Sequence, residues 1–160
     1  MRGVVAPVRI AVCGAGTESA ALNALAERVG REIAAAGAAL VCGGLAGVME
    51  AAARGAAQAG GLTIGVLPGR DAAGANPWIT LPLPTAMGEG RNVLVVRFAD
   101  AVIAIGGEWG TLSEIALARK SGVPVVLLAP TYTHLGLEEA KSPKDAVRLA
   151  LAAATRARTP

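Results

Sequence analysis

A glycine-rich segment in the second half of the chain carries residue types that can hold an anion. Residues 103–114 read IAIGGEWGTLSE, an apolar run followed by Gly107, Gly110, Thr111 and Glu114. Backbone N–H groups at a helix start, together with the helix dipole, favour a phosphate, and glycine lets the anion approach the backbone. A Thr cap with Glu114 completing a capping box would give much the same pattern. The segment therefore predicts either a phosphate-binding loop or a plain helix start.

Two further glycine loops are predicted to leave the same edge of a sheet. GAGTES follows the first predicted strand, GGLAGVME follows the second, and each precedes a predicted helix. Ligands of open α/β sheets bind beyond the carboxyl ends of the strands, near the point where the strand order reverses. All three loops are therefore predicted to line one crevice. The candidate ligand-binding positions of these two loops are Gly14, Gly16, Thr17, Gly43, Gly44 and Met49.

The motifs argue against two common nucleotide sites. In GAGTES, Ser19 stands where the dinucleotide fingerprint has Gly or Ala, and the second strand does not end in an acidic residue. The chain also lacks the G-x-x-x-x-G-K-[ST] sequence of P-loop nucleotidases. His134 has no second His and no Cys at ligand spacing, so we expect no protein-bound metal. The predicted ligand is an anion held mainly by backbone groups.

The elements that must position these loops alternate between apolar strands and helices. Strands that are apolar throughout, rather than alternating, are typical of a parallel sheet covered by helices on both faces. Prolines in ITLPLP allow at most an edge strand in the connection over residues 68–86. We therefore expect one doubly wound, Rossmann-like α/β domain over residues 1–160. The predicted strands cover residues 8–12, 38–42, 62–68, 101–105 and 124–129, and the predicted helices cover 18–36, 48–59, 91–98, 111–120 and 143–156.

The composition argues against several classes of function. At 53% hydrophobic and 17% charged residues, the 160-residue chain is too apolar for a disordered protein. Aromatic residues make up only 2%, whereas single-stranded nucleic-acid platforms need several rings for stacking. The net charge of +3 comes from scattered residues, so we expect no nucleic-acid partner. The longest uncharged run, residues 33–49, is too short to span a membrane, and we expect a soluble, cytoplasmic protein with no membrane partner.

Three segments of the chain resemble the SLOG-type Rossmann proteins. They read GGLAGVMEAAARGAAQAGG, GVLPG and RNVLVVRFADAVIAIGGEWGTLSE, and the resemblance runs from about residue 8 to residue 128. Within that group, the chain is most similar to the molybdenum cofactor carrier proteins and their bacterial homologues, often described only as nucleotide-binding Rossmann proteins. The resemblance implies a Rossmann-like fold that binds a cofactor or a nucleotide.

At greater distance the chain is similar to the LOG phosphoribohydrolases, which release a cytokinin base from its riboside monophosphate. Their signature is P-G-G-x-G-T-x-x-E, in which Gly106 here replaces the Pro and Glu108 replaces the second Gly. Arg91 and Glu114 occupy the positions that carry LOG catalysis, so the resemblance implies that they are catalytic if the chain is a hydrolase. Glu108 adds a side chain and a negative charge where those enzymes keep glycine. This departure favours a binding protein over an enzyme.

Together these observations predict a binding site for a phosphorylated, flat heterocycle. A molybdenum cofactor and a purine nucleotide are the two candidate ligands, and hydrolysis of a nucleoside 5'-monophosphate is the alternative function. A third possibility is an assembly or regulatory protein with a vestigial pocket. Trp109 either lies over a flat ring or caps the sheet edge. The third loop and the helix before it contribute Arg91, Gly107, Glu108, Trp109, Gly110, Thr111 and Glu114 to the predicted site.

The helix predicted over residues 91–98 is too apolar to be covered by one sheet face. A helix that lies on one side of a sheet buries a single stripe of residues. The resemblance further implies pairing through helices of this region, with Arg91 reaching a site shared by two subunits. We therefore predict a homodimer or a dimer of dimers. The apolar side chains of this helix are Val93, Leu94, Val95, Val96 and Phe98.

Overall fold

The computed structural model describes residues 6–158, which form seven strands and five α-helices around one sheet. The strands are β1 (Arg9–Gly14), β2 (Ala39–Cys42), β3 (Thr63–Leu67), β4 (Leu81–Pro84), β5 (Ala101–Ile105), β6 (Val125–Leu128) and β7 (Glu138–Ala140). The helices are α1 (Ala20–Ala35), α2 (Val48–Gln58), α3 (Asn92–Phe98), α4 (Trp109–Ser121) and α5 (Pro143–Arg158), with a 3₁₀ turn at Gly88–Arg91 before α3.

The sheet is parallel and its strand order reverses at the centre. The order is β4-β3-β2-β1-β5-β6-β7, and every neighbouring pair is parallel. Chain order runs outward from β1 to β4 on one side and from β5 to β7 on the other, so the reversal lies between β1 and β5. Gly14 at the end of β1 is in register with Ile105 at the end of β5. The predicted doubly wound α/β fold is confirmed, and its crevice lies where these two strands end.

Helices cover both faces of the sheet, which explains the apolar strands. Successive β1 residues alternate between the two cores, with Ile10 on one face and Ala11 on the other. Helices α1, α2 and α5 pack on the first face, and α3 and α4 pack on the second. A Cβ atom on Gly30 of α1 would overlap the backbone carbonyl oxygen of Ala52 of α2. The absence of that atom lets α1 and α2 meet backbone to backbone.

The sequence prediction missed one strand and misplaced the starts of several helices. Strand β7 was not predicted, because EEA at 138–140 is short and has two exposed acidic residues. The 3₁₀ turn lies in the predicted region of a helix start, so α3 itself begins one residue later, at Asn92. Helix α4 begins at Trp109, two residues before the predicted start at Thr111. The edge strand allowed by ITLPLP is present as β4, at one end of the sheet.

Cys13 is the last residue but one of β1 and Cys42 is the last residue of β2, and both are buried free thiols. Cys13 belongs to the core beneath α3 and α4, whereas Cys42 belongs to the core beneath α1 and α2. The sheet therefore separates the two sulfur atoms, and a disulfide between them is excluded. Within residues 6–158, no helix is both long enough and apolar enough to cross a bilayer.

Candidate anion-binding site at the centre of the sheet edge

A cavity of about 660 Å³ lies beyond the carboxyl ends of β1 and β5. The β1–α1 loop, the start of α2, the 3₁₀ turn and the first turns of α4 form its walls. This is the position at which open α/β sheets bind their ligands. The predicted site residues that line it are Gly14, Gly16, Met49, Arg91, Glu108, Trp109, Gly110, Thr111 and Glu114.

The first turn of α4 lines the cavity and carries backbone N–H groups that have no acceptor within the helix. The residue before the helix is Glu108, whose side chain makes no capping hydrogen bond to the helix. Its Oε1 instead accepts a hydrogen bond from Thr17 Oγ1 at 2.5 Å. The N–H groups of the first helical turn have no intrahelical acceptor, because no residue precedes them by one turn within the helix. They are free to bind an external anion.

The capping-box interpretation of this loop is wrong. Thr111 lies inside α4 rather than before it, so its hydroxyl cannot cap the helix. Thr111 is 2% exposed, and its Oγ1 has no hydrogen-bond partner among residues 6–158. Glu114 turns inward to the side chain of Cys13 rather than back to the helix start. The side chains of Thr111 and Glu114 are therefore both buried at the cavity wall and do not cap the helix.

Arg91 is a buried cation held at the floor of the cavity. It ends the 3₁₀ turn and is only 7% exposed. Its Nη1 donates to Asn92 Oδ1, and its Nη2 donates to the Gly43 carbonyl oxygen at 3.4 Å. Its Nε has no hydrogen-bond partner in the described part of the chain. Because an unpaired buried donor on a charged group is costly, an anion in the cavity would stabilise this arrangement.

Burial raises the pKa of the Glu114 carboxyl from about 4.5 to about 7. The positive charge of Arg91 and a hydrogen bond with Cys13 act in the opposite direction and limit the rise. Burial and the nearby Glu114 raise the pKa of the Cys13 thiol well above its ordinary value. At neutral pH the carboxyl group is therefore divided between its two protonation states. A group of this kind can hold or release a proton beside a bound anion.

Four predicted site residues surround the cavity without lining it, namely Thr17, Gly43, Gly44 and Gly107. Gly43 makes room for the guanidinium, because a Cβ atom there would lie 2.6 Å from Arg91 Nη2. Gly44 has a φ of +75° and Gly107 a φ of +152°, conformations that favour glycine. These positions shape the backbone of the loops.

Trp109 does not cap the sheet edge. It is 82% exposed and lies at the cavity wall as the first residue of α4. The sequence prediction missed Glu89, Asn92 and Ser113, which also line the cavity. Glu89 lies in the 3₁₀ turn, between the predicted connection over residues 68–86 and the helix predicted from residue 91.

Acidic side chains outnumber basic ones along the described cavity wall. Among the described lining residues, Arg91 is the one cation and faces three carboxyl groups, those of Glu89, Glu108 and Glu114. Arg91 and Glu114 influence each other electrostatically but form no ion pair within 4 Å in residues 6–158. In the same part of the chain, no three or more His, Cys, Asp or Glu side chains are grouped to hold a metal ion.

The fold and this crevice define a Rossmann-like protein of the SLOG type. The chain belongs to the SLOG cluster4 family, whose model matches residues 7–157. The resemblance seen in the sequence is thereby confirmed.

Solved structures of two molybdenum cofactor proteins are similar over nearly the whole chain. The molybdenum cofactor binding protein of Rippkaea orientalis is 34% identical, with a TM-score of 0.87 over 92% of this chain and 98% of that one. The Moco carrier protein of Chlamydomonas reinhardtii is 31% identical, with a TM-score of 0.85 over 94% of this chain and 99% of that one. An uncharacterised protein of Archaeoglobus fulgidus is 40% identical over 149 residues, covering 93% of this chain and 98% of its own length.

Proposed function

We propose that this protein binds and carries a phosphorylated heterocyclic molecule, with its phosphate in the cavity at the centre of the sheet edge. Two buried polar atoms on cavity-lining residues support this proposal. Arg91 Nε and Thr111 Oγ1 both lack a hydrogen-bond partner within the described part of the chain. One phosphate group can accept hydrogen bonds from both atoms and from the first-turn N–H groups of α4.

The first candidate ligand is a molybdenum cofactor, and the second is a purine nucleotide. The similarity to a molybdenum cofactor binding protein and to a Moco carrier protein supports the first. The volume of about 660 Å³ is within the usual range for small-molecule sites. The exposed ring of Trp109 at the wall offers a flat surface on which a heterocycle can stack. In this proposal any metal arrives as part of the cargo.

The test is to identify what co-purifies with the protein. The chain is expressed in a host that makes molybdenum cofactor, purified without oxygen, and its released ligand is identified by mass spectrometry. We expect a phosphorylated heterocycle near one equivalent, and a loss of roughly tenfold or more in Arg91→Met. Thr111→Val removes the unpartnered hydroxyl at constant shape and gives a second, milder loss. Arg119→Met, which changes an exposed residue in the last turn of α4, is the matched control. An unphosphorylated ligand, or full loading of Arg91→Met, contradicts the proposal.

LOG-type hydrolysis is the second candidate function, and the burial and raised pKa of Glu114 favour it. A buried carboxyl with a pKa of about 7 beside Arg91 can act on the bond between a base and a ribose phosphate. We expect release of free base from AMP or from a cytokinin riboside monophosphate to be no faster than in a Glu114→Ala control. Turnover on the order of 1 per second that depends on Glu114 would establish the enzyme instead.

We also propose that the protein acts as a homodimer, or a dimer of dimers, through α3. Val95 and Val96 are each 1% exposed and belong to the core of one chain. Leu94 and Phe98, one helical turn apart, are each 38% exposed. The apolar surface that α3 leaves exposed is therefore smaller than the sequence suggested. An isologous contact centred on these two side chains would remove it from water.

A further inference from the structure

The balance of charge in the cavity limits how many phosphate groups a ligand can bring. In the described wall, Arg91 is opposed by the carboxyl groups of Glu89, Glu108 and Glu114. A single phosphate can occupy the position beside Arg91 and the start of α4. A second phosphate would extend from that position toward the mouth, where both Glu89 and Glu108 are exposed. Like charges at such short range oppose binding.

The position of the Glu108 carboxylate is set by a contact outside its own helix. A short acidic side chain directly before a helix, such as that of Asp, can turn back and cap the first-turn N–H groups. Glu108 makes no such bond, and Thr17 Oγ1 donates to its Oε1 at 2.5 Å across the crevice. The carboxylate is therefore held over the cavity wall without occupying the donors that a phosphate needs. It leaves the inner position open and places a negative charge beside it.

We propose that Glu108, positioned by Thr17, is a specificity-determining residue that restricts the site to ligands with one phosphate group. This inference rests on the proposed function and sharpens it. A monophosphate ester places its charge at Arg91 and directs its uncharged part past Glu108. A diphosphate or dinucleotide must place its second phosphate against the carboxylates. P-loop sites meet several phosphate charges with a Lys and a Mg²⁺ ion, and the described wall of this cavity offers one cation.

The experiment compares two probes that differ in phosphate number alone. Inorganic phosphate and pyrophosphate are titrated into ligand-free protein by calorimetry, for the parent chain and for Glu108→Gln. The control is Glu138→Gln, which removes the same charge from an exposed position on β7. Each titration is repeated at about 0.05 M and about 0.5 M NaCl, because screening shortens the reach of surface charge.

We expect the parent to bind phosphate more tightly than pyrophosphate. Glu108→Gln should raise pyrophosphate affinity on the order of tenfold, with less than about a threefold change for phosphate. This shift in preference should shrink at high salt, which a purely structural role would not produce. A preference that stays within roughly twofold of the parent, or that shifts equally in Glu138→Gln, overturns the inference while the proposed function stands. If the parent binds neither anion, the proposed phosphate site fails and the inference fails with it.

Discussion

Gly43 and Arg91 are packed so closely that a Cβ atom at position 43 would lie 2.6 Å from Nη2 of the guanidinium. The same atom would lie 2.7 Å from the sulfur of Met49. The Gly43 carbonyl oxygen also accepts a hydrogen bond from Nη2. Residues 48 positions apart in the chain therefore fix the place of the buried cation together. Even the smallest side chain at position 43 must displace it.

Gly43→Ala is expected to weaken binding of inorganic phosphate by roughly tenfold, or ~1.4 kcal/mol, because the guanidinium moves from its position. The fold should remain, at a cost of about 1–3 kcal/mol for the crowded contact. Calorimetric titration and chemical denaturation measure the two effects separately. Gly74→Ala is the control, since no described heavy atom lies within 4 Å of its added Cβ. Unchanged phosphate affinity in a folded Gly43→Ala variant would show that Arg91 does not hold the anion.

Gly110→Val tests the backbone donors of α4 rather than the guanidinium. Apart from its chain neighbours and the nearby backbone of α4, no heavy atom of the described chain lies within 4 Å of a Cβ added at Gly110, so the fold has room for the side chain. The valine would project into the space where the first-turn N–H groups meet the ligand. Phosphate affinity should drop by roughly tenfold or more, with little change in thermal stability beyond that of Gly74→Val. A variant that binds as tightly as the parent would remove this turn from the site.

Glu114 should make the ligand-free protein less stable as the pH rises from about 4.5 to about 7. The folded state holds the carboxyl proton up to about pH 7, whereas the unfolded state releases it near 4.5. In that interval the folded state binds more protons, so the free energy of unfolding decreases with pH and then levels off. The loss is up to roughly 3 kcal/mol.

Urea denaturation of the parent and of Glu114→Gln at pH 5 and pH 8 measures this contribution. The parent should lose more stability than the variant over that range, because only the parent carries the buried titrating group. Glu50→Gln, which changes a partly buried residue of α2 outside the cavity wall, is the control. Equal pH dependence in the parent and in Glu114→Gln would mean that the carboxyl is ionised without penalty.

Leu94→Glu is expected to convert the predicted dimer into monomers. A charge placed at a 38% exposed position of α3 does not disturb the core of one chain but opposes burial between two. Static light scattering at tens of micromolar gives the mass, and Leu135→Glu supplies a control at 37% exposure elsewhere on the surface. Val95 is not suitable for this test, because a glutamate there would disrupt the core. A monomeric parent at that concentration would refute the dimer.

The strands and glycine loops could be predicted because their signals are local. Apolar runs such as ALVC and AVIAI, each followed by glycines and a helix, define β-strand, loop and α-helix without knowledge of the rest of the chain. The brief acidic strand β7 has no such signal, since two of its three residues are exposed and its pairing is with β6. The 3₁₀ turn before α3 lies in a connection rich in Pro and Gly, where composition does not determine the path.

The interior of the candidate site depends on contacts that no local pattern encodes. Thr17 was predicted to bind the ligand, and in the structure it binds Glu108, 91 positions away. Glu114 has the spacing of a capping residue but is buried, and Cys13 of β1 lies close enough to lower the pKa of its carboxyl. The sheet brings these residues together by placing β1 beside β5. Sequence reasoning named the residues and missed their partners.

The backbone contact between α1 and α2 makes one side of the crevice more rigid than the other. Gly30 of α1 and Gly55 of α2 each face a carbonyl oxygen of the opposite helix at a distance that leaves no room for a side chain. Two helices joined in this way move as one rigid body, and the loops that precede them share that support. Helix α3 is only seven residues long and has no comparable partner contact in the described structure. We therefore expect any opening of the crevice to occur on the α3 side, which carries Arg91, and not between α1 and α2.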